Sequence, residues 1–225
     1  MAQRLQEKHS PELCVGLTRR HLRLNTQTSG ADVLTSAIEP VVADVDVRIS
    51  RVKTAEAEKH SCYDMTVFMD AELDNCVRTC AEKCMAYDRS NPGSQVYKMV
   101  FPDNTSGIIN TYHLKESAEV QKVIARLETL DQSHPLRSEA TVLRAVVVRV
   151  DETAQKYYDA IAKLAAVKAE LDIAKTKLIR QYMANIFDAE KLFGRQLADR
   201  LFPLITTASA KDEPVVDQPA ATVAN

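Results

Sequence analysis

Apolar residues recur at helical spacing through most of the chain, and the longest such run lies in the C-terminal third. Between Leu136 and Phe202 there is no proline, and only Gly194 interrupts the good helix formers. The stripe consists of Leu143, Val147, Val150, Ala154, Tyr157, Ile161, Leu164, Val167, Leu171, Ala174, Leu178, Tyr182, Ile186, Ala189, Phe193, Leu197, Leu201 and Leu204. Its mean step is about 3.6 residues, the period of a straight α-helix rather than of a long supercoil. A helix over 136–203 would be about 100 Å long, so it must kink, fold back or protrude.

Three shorter periodic segments precede this one. They predict helices over 31–59, 63–89 and 109–131. Pro40 should kink the first of them or begin it afresh, and Ser117 is the expected cap of the third. Turns are expected at Asn91-Pro92-Gly93 and at His134-Pro135. The predicted fold is therefore an all-α, elongated antiparallel helical bundle of about four helices, with one very long C-terminal helix that is kinked or straight.

The two ends of the chain lack this periodicity. Residues 1–29 are polar and basic, and Pro11 and Gly16 are expected to interrupt any helix there. Residues 206–225 contain almost no large apolar side chain. We therefore predict a flexible basic arm over 1–29, a helical bundle domain over 30–205 and a disordered tail over 206–225.

Charge and composition narrow the class of partner. The net charge is −2 and the basic cluster Arg19, Arg20, His21 and Arg23 is short, so nucleic acid is an unlikely partner. No apolar run reaches the roughly 18 residues of a membrane span, and the N-terminus lacks the apolar core of a secretion signal. Five cysteines, an odd number, suit reduced thiols better than a disulfide framework. A cytoplasmic location is the expectation.

The residues of greatest chemical interest are Cys76, Cys80 and Cys84, four positions apart on one helical face. Neighbouring thiolates at this spacing can share a soft metal, Cu(I) or Zn. Such a face resembles the bacterial copper-storage proteins, although those carry many more thiols on several helices. The other interpretation is core packing, because cysteine behaves as a small apolar residue and these positions continue the stripe of Met65, Phe68 and Leu73. We favour packing and keep the metal site as the alternative.

Signatures of catalysis are missing from the sequence. There is no Glu-x-x-His pair of the di-iron type, no glycine-rich phosphate loop and no Gly-x-Ser-x-Gly elbow. The five histidines are expected to be solvated or to cap helices: His9, His21, His60, His113 and His134. We therefore expect no enzymatic activity and no cofactor.

Several short motifs carry a resemblance. They are Phe101-Pro102-Asp103, Thr105-Ser106-Gly107-Ile108, His134-Pro135-Leu136, Leu192-Phe193-Gly194 and Leu201-Phe202-Pro203. Over residues 96–204 this pattern resembles uncharacterised bacterial all-helical proteins. The resemblance implies an all-α fold and brings no function with it.

The function that the sequence favours is a non-enzymatic interaction or scaffold module. An apolar stripe longer than its neighbours can cover leaves surface for another chain, so a protein partner or a homo-oligomer is expected. The alternative is a thiol-based metal-binding or redox protein that uses Cys76, Cys80 and Cys84.

Overall fold

The computed structural model describes residues 2, 4–110 and 113–202, and every regular element in this part of the chain is helical. The all-α prediction is confirmed. The elements are α1 (Pro11–Asn25), α2 (Asp32–Ser90), α3 (Val96–Val100), α4 (Ser106–Ile109), α5 (His113–Glu128), a 3-10 turn (Pro135–Ser138), α6 (Glu139–Phe193) and α7 (Arg195–Leu201). None of the helices in the described ranges has the length and apolar content needed to cross a membrane. The predicted tail over 206–225 lies outside the described residues.

The first two predicted helices form a single helix, α2, of 59 residues. The predicted break after Ser61 was wrong, because the chain there contains neither proline nor glycine and Cys62 and Thr66 continue the inward-facing pattern. Pro40 lies inside α2 and does not end it. A proline in a helix removes one backbone donor, and the packed turns on both sides hold the helix together.

The interpretation of residues 1–29 as an arm without helix was also wrong, since 11–25 form α1. The Ser10 hydroxyl accepts a hydrogen bond from the Leu13 amide at 3.2 Å, which caps the helix. Pro11 occupies the first turn, where its missing N–H costs nothing. Gly16 costs about 1 kcal/mol of helix propensity, and burial of Val15 and Leu17 outweighs this.

The chain divides into two compact units. Unit 1 combines the chain up to Ser50 with the chain from Ala169 onward, and unit 2 is Arg51–Lys168. The bundle domain expected over 30–205 is thus shared between two separate cores. Both α2 and α6 contribute one segment to each unit.

In unit 1, α1 and α7 pack with the first part of α2 and the last part of α6. The α2 and α6 segments run antiparallel, since Arg48 pairs with Glu170 at 2.7 Å and the Asn185 amide donates to the Leu34 carbonyl at 2.8 Å. Gly194 has a φ of +76°, a conformation that ends α6 and starts α7. The break that the sequence allowed at this glycine is confirmed.

In unit 2, the α2 and α6 segments are again antiparallel and α5 packs on them. The core is built from residues of all three helices: Leu73, Val77, Cys80, Cys84, Val120, Val123, Ile124, Leu127, Leu143 and Val147. Ser117, the expected cap of the third helix, lies inside α5 and is buried. That prediction was wrong because α5 begins four residues earlier, at His113.

Both predicted turns of unit 2 are present. After α2 ends, the Asp88 carboxylate accepts hydrogen bonds from the Ser94 hydroxyl at 2.6 Å and from the Val96 and Tyr97 amides at 2.9 and 3.0 Å. These three bonds fix the turn at residues 91–93 and start α3. At the second turn the His134 ring accepts a hydrogen bond from the Leu136 amide at 3.2 Å and caps the 3-10 turn, which is one of the two roles, solvated or capping, expected for the histidines.

Candidate functional site

The stripe predicted on α2 is out of phase with the one that the structure buries. Met65 and Phe68, expected in the core, are 52% and 65% exposed. The inward-facing positions are Val52, Ala55, Lys59, Cys62, Thr66, Met69 and Leu73. Their steps alternate between three and four residues. Two stripes with helical spacing fit this stretch of sequence, one through Met65 and Phe68 and one through Thr66 and Met69. The second stripe was not predicted because Thr66 is small and partly polar.

Because α2 buries the other stripe, several large apolar side chains of unit 2 face solvent. Tyr63, Met65, Val67 and Phe68 are each at least 45% exposed, and all lie within two turns of α2. The opposite side of the same turns buries Thr66 and Met69. A helix that is apolar on nearly all sides normally lies in a protein interior. We call Tyr63, Met65, Val67 and Phe68 the 63–68 surface.

An aromatic run connects the 63–68 surface to α6. The ring centroids of Tyr63 and Tyr157 lie 5.6 Å apart, and those of Tyr157 and Tyr158 lie 6.1 Å apart. Tyr158 is exposed. Ion pairs between α2 and α6 stand on both sides of this run: Glu58 with Lys163, and Glu72 with Arg149. The exposed apolar residues therefore lie among charged ones: Asp64 is exposed within the same turns, and the two ion pairs lie further along the helices.

The cysteine face lies mostly in the core of unit 2. Cys80 and Cys84 are almost fully buried, and Cys76 is half-buried at the edge, near Lys83 and Glu139. A hydrogen bond between the Cys80 and Cys84 thiols, together with burial, raises the pKa of Cys80, whereas the same bond lowers the pKa of Cys84. Burial raises the pKa of Cys76. Two of the three positions therefore pack as small apolar residues.

The metal alternative stays a prediction. Among the described residues, no group of three or more histidine, cysteine, aspartate or glutamate side chains is arranged to hold a metal ion. All three thiols belong to a single helix, and ligands from a second helix would have to join them to complete a site for zinc. A titration with Cu(I) or Zn against a competing chelator tests the alternative directly.

The structure also shows a polar centre that the sequence analysis missed, around His21 in unit 1. His21 was expected to be solvated and is 1% exposed. Its Nδ1 donates to the Leu201 carbonyl at 3.2 Å, so Nε2 is the acceptor for the amide groups of Asn25 and Asn185, each at 3.2 Å. Phe202 stacks on the ring, with centroids 4.0 Å apart.

This environment keeps His21 neutral. Burial lowers its pKa to about 4, and the hydrogen bond to Leu201 offsets only part of that effect. Every ring nitrogen is engaged, so His21 is a structural residue rather than a catalytic base. The burial of His21 could have been predicted from its spacing in the sequence. Steps of four, three and four residues on α1 separate the members of one buried stripe: Cys14, Thr18, His21 and Asn25.

Comparison of the chain with protein-family models, with curated proteins and with solved structures gave no match. The surfaces and side-chain clusters of this chain are therefore the basis for any proposed function.

Proposed function

We propose that the protein is a non-enzymatic interaction or scaffold module that binds another protein chain, a second copy of itself or a different protein, through the 63–68 surface. The observation that carries this proposal is the concentration of Tyr63, Met65, Val67 and Phe68 on the solvent side of α2. Single exposed apolar residues are common on soluble proteins, whereas four within two turns of one helix add up to a larger exposed apolar area, which favours a binding role.

The energetic argument supports this role. Complete burial of a large apolar side chain contributes about 1.5–3 kcal/mol, so covering the exposed half of four such residues contributes on the order of 4 kcal/mol before the costs of association. Tyr63 and Phe68 also belong to the aromatic class that dominates binding energy at the centre of interfaces. This contribution is comparable with the lowest estimates of the cost of association, about 4 kcal/mol, so these residues would form the apolar part of a larger, reversible contact.

The helical geometry of α2 supports one kind of partner segment, an amphipathic helix. The inward positions of α2 between Val52 and Leu73 alternate in steps of three and four, the spacing of a coiled coil. Residues of the 63–68 surface lie on the outer side of the same helix. A partner that presents an amphipathic helix, with apolar residues at similar spacing, would extend this packing by one helix.

The experiment compares Phe68→Glu with Val33→Glu. Val33 is 69% exposed on the same helix, belongs to unit 1 and precedes the 63–68 surface by 30 residues. If the partner is a second copy, sedimentation of the wild type will show concentration-dependent association that Phe68→Glu weakens at least tenfold and Val33→Glu leaves intact. If the pure protein is monomeric at all concentrations, self-association is excluded and the partner must be a different protein.

A further inference from the structure

A cluster of three carboxyl groups lies in unit 2, where the start of α5 meets α2. Glu116 is in the first turn of α5 and is 1% exposed. Asp70 and Asp74 are one turn apart on α2, and the Glu116 carboxyl is hydrogen-bonded to both. The three residues are far apart in sequence, and the packing of α5 brings them together.

Hydrogen bonds between carboxyl groups require a proton. An ionised carboxylate has acceptors only, so two ionised groups in such contact repel each other and make no bond. A carboxylic acid has an O–H that it can donate to a neighbouring carboxylate. The contact of Glu116 with Asp70 and Asp74 therefore indicates that at least one of the three groups is protonated in the folded protein.

The described charged groups beside the cluster lie on α2 and on α5. On α2, the Arg78 guanidinium lies 3.3 Å from Asp74 and is half exposed to solvent. On α5, Glu119 is the next acidic residue and is paired with Lys122 at 2.7 Å, while His113 and Lys115 precede Glu116 in the sequence. Within the described part of the chain, Glu116 Oε1, Asp74 Oδ1 and Ser117 Oγ are buried without a hydrogen-bond partner. A full negative charge on Glu116 would therefore be poorly solvated.

We propose that Asp70, Asp74 and Glu116 form a proton-binding site that holds the first turn of α5 against α2 and releases this turn when the proton is lost. The ligand is a single proton, shared mainly by Glu116. Asp70 follows Val67 by three residues on α2, so the cluster adjoins the 63–68 surface. The two proposals have different readouts, association for the surface and pH-dependent unfolding for the cluster, so the failure of one is distinguishable from the failure of the other.

The direction in which pH changes stability follows from the raised pKa of Glu116. Burial, followed by the hydrogen bonds and charges of Asp70 and Asp74, raises the pKa of Glu116 from its ordinary value of 4.5 to about 9. Between these two values the folded chain holds a proton that the unfolded chain has lost. The folding equilibrium constant must therefore fall as the pH rises, by up to about tenfold per pH unit from this group alone. Above pH 9 the dependence ends, because both states are ionised.

The test is urea unfolding of the full chain at pH 6, 7.5 and 9 for the wild type, Glu116→Gln and Glu119→Gln. The glutamine amide at 116 donates to Asp70 and Asp74 at every pH, so the variant mimics the protonated acid. We expect the ratio of the folding constants, wild type to Glu116→Gln, to fall at least 30-fold from pH 6 to pH 9. Glu119→Gln, on the same helix, should follow the wild type. A ratio that stays within threefold over this range would overturn the proposal.

A second measurement decides the question if Glu116→Gln does not fold. Side-chain carboxyl ¹³C signals of the wild type, followed by NMR from pH 4 to pH 10, should include one glutamate that titrates near pH 9. In Asp70→Asn that midpoint should move to lower pH, because one negative charge next to Glu116 is gone. If all glutamates titrate below pH 6, the cluster holds no proton and the proposal is wrong.

Discussion

The two units of this protein differ in the charge of their buried polar groups and in the distribution of their exposed apolar residues. In unit 1 the buried polar centre is neutral, with His21 bonded to the Leu201 carbonyl and to two asparagine amides. Its exposed apolar residues, such as Val33, are scattered along the helices. Unit 2 buries an acidic cluster and concentrates four exposed apolar residues within two turns. Unit 1 thus buries a polar centre that is neutral at pH 7, whereas unit 2 buries a group of carboxyls and carries the surface for which we propose a binding role.

We expect the largest loss of stability from a variant that removes His21, the buried polar residue at the centre of unit 1. His21→Ala takes away the stack on Phe202 and leaves the Asn25 and Asn185 amides and the Leu201 carbonyl without their partner. We expect the free energy of unfolding to fall by about 4 kcal/mol, the usual cost of a buried cavity combined with lost hydrogen bonds. Urea unfolding measures this change. His60→Ala, at an exposed position of α2, is the control and should change it by less than about 0.5 kcal/mol.

Acid should act on unit 1 through the same residue. The pKa of His21 is lowered to about 4, below the value of 6.5 that it has when unfolded. The unfolded state therefore binds the proton first as the pH falls, and the stability that is present above pH 6.5 is lost progressively towards pH 4. We expect this group to contribute a loss of about 3 kcal/mol over that interval.

An NMR titration of the His21 imidazole tests this expectation apart from other groups. The signals of a buried neutral ring should stay constant down to about pH 5. An inflection near pH 6.5 would show that the ring is accessible and that the polar centre is open.

In unit 2, alanine replacements separate packing of the cysteines from metal binding. Cys84→Ala removes a fully buried thiol, and we expect a loss of about 1–2 kcal/mol, whereas Cys76→Ala at the half-buried edge should cost less than about 1 kcal/mol. Thermal unfolding in the presence of a chelator measures both. A triple variant at positions 76, 80 and 84 that keeps full stability but loses Cu(I) or Zn uptake would instead support the metal alternative.

Two glycine replacements in unit 1 should change the free energy of unfolding in opposite directions. Gly194→Ala places a side chain at a φ of 76° and a ψ of 163°, a combination essentially restricted to glycine, which should destabilise the protein by about 1–3 kcal/mol. Gly16→Ala lies inside α1 with no atom within 4 Å of the added Cβ, so it should stabilise the protein by about 0.5–1 kcal/mol. Equal effects at the two sites would mean that α1 is not the helix described here.

The all-α class and the long C-terminal helix were predictable because helix formation depends on local spacing and on a few punctuating residues, whereas α1 and the continuity of α2 past Ser61 were missed. The break at Gly194 and the turns at residues 91–93 and 134–135 are local signals, and they were confirmed. The phase of the α2 stripe was not predictable in this way, since Met65 with Phe68 and Thr66 with Met69 both fit helical spacing. Only the partner helix decides which pair faces inward.

The two polar clusters were hidden for a related reason. His21 meets Asn185 across 164 residues, and Glu116 meets Asp70 across 46. No local pattern joins residues so far apart, and each looks like an ordinary solvated side chain in its own segment. The 63–68 surface was hidden because an apolar residue at helical spacing is usually a core residue, and the sequence does not show how far the neighbouring helices extend.

The most direct test of the proposed binding role places a photo-cross-linking residue at position 68, and separately at position 33, in the full chain expressed in its native cell. Both positions are exposed on α2, so non-specific capture should be equal. The account predicts a defined adduct with one protein, a second copy or a different chain, from position 68 and none from position 33. The same set of adducts from both positions, or no adduct from either, would contradict it.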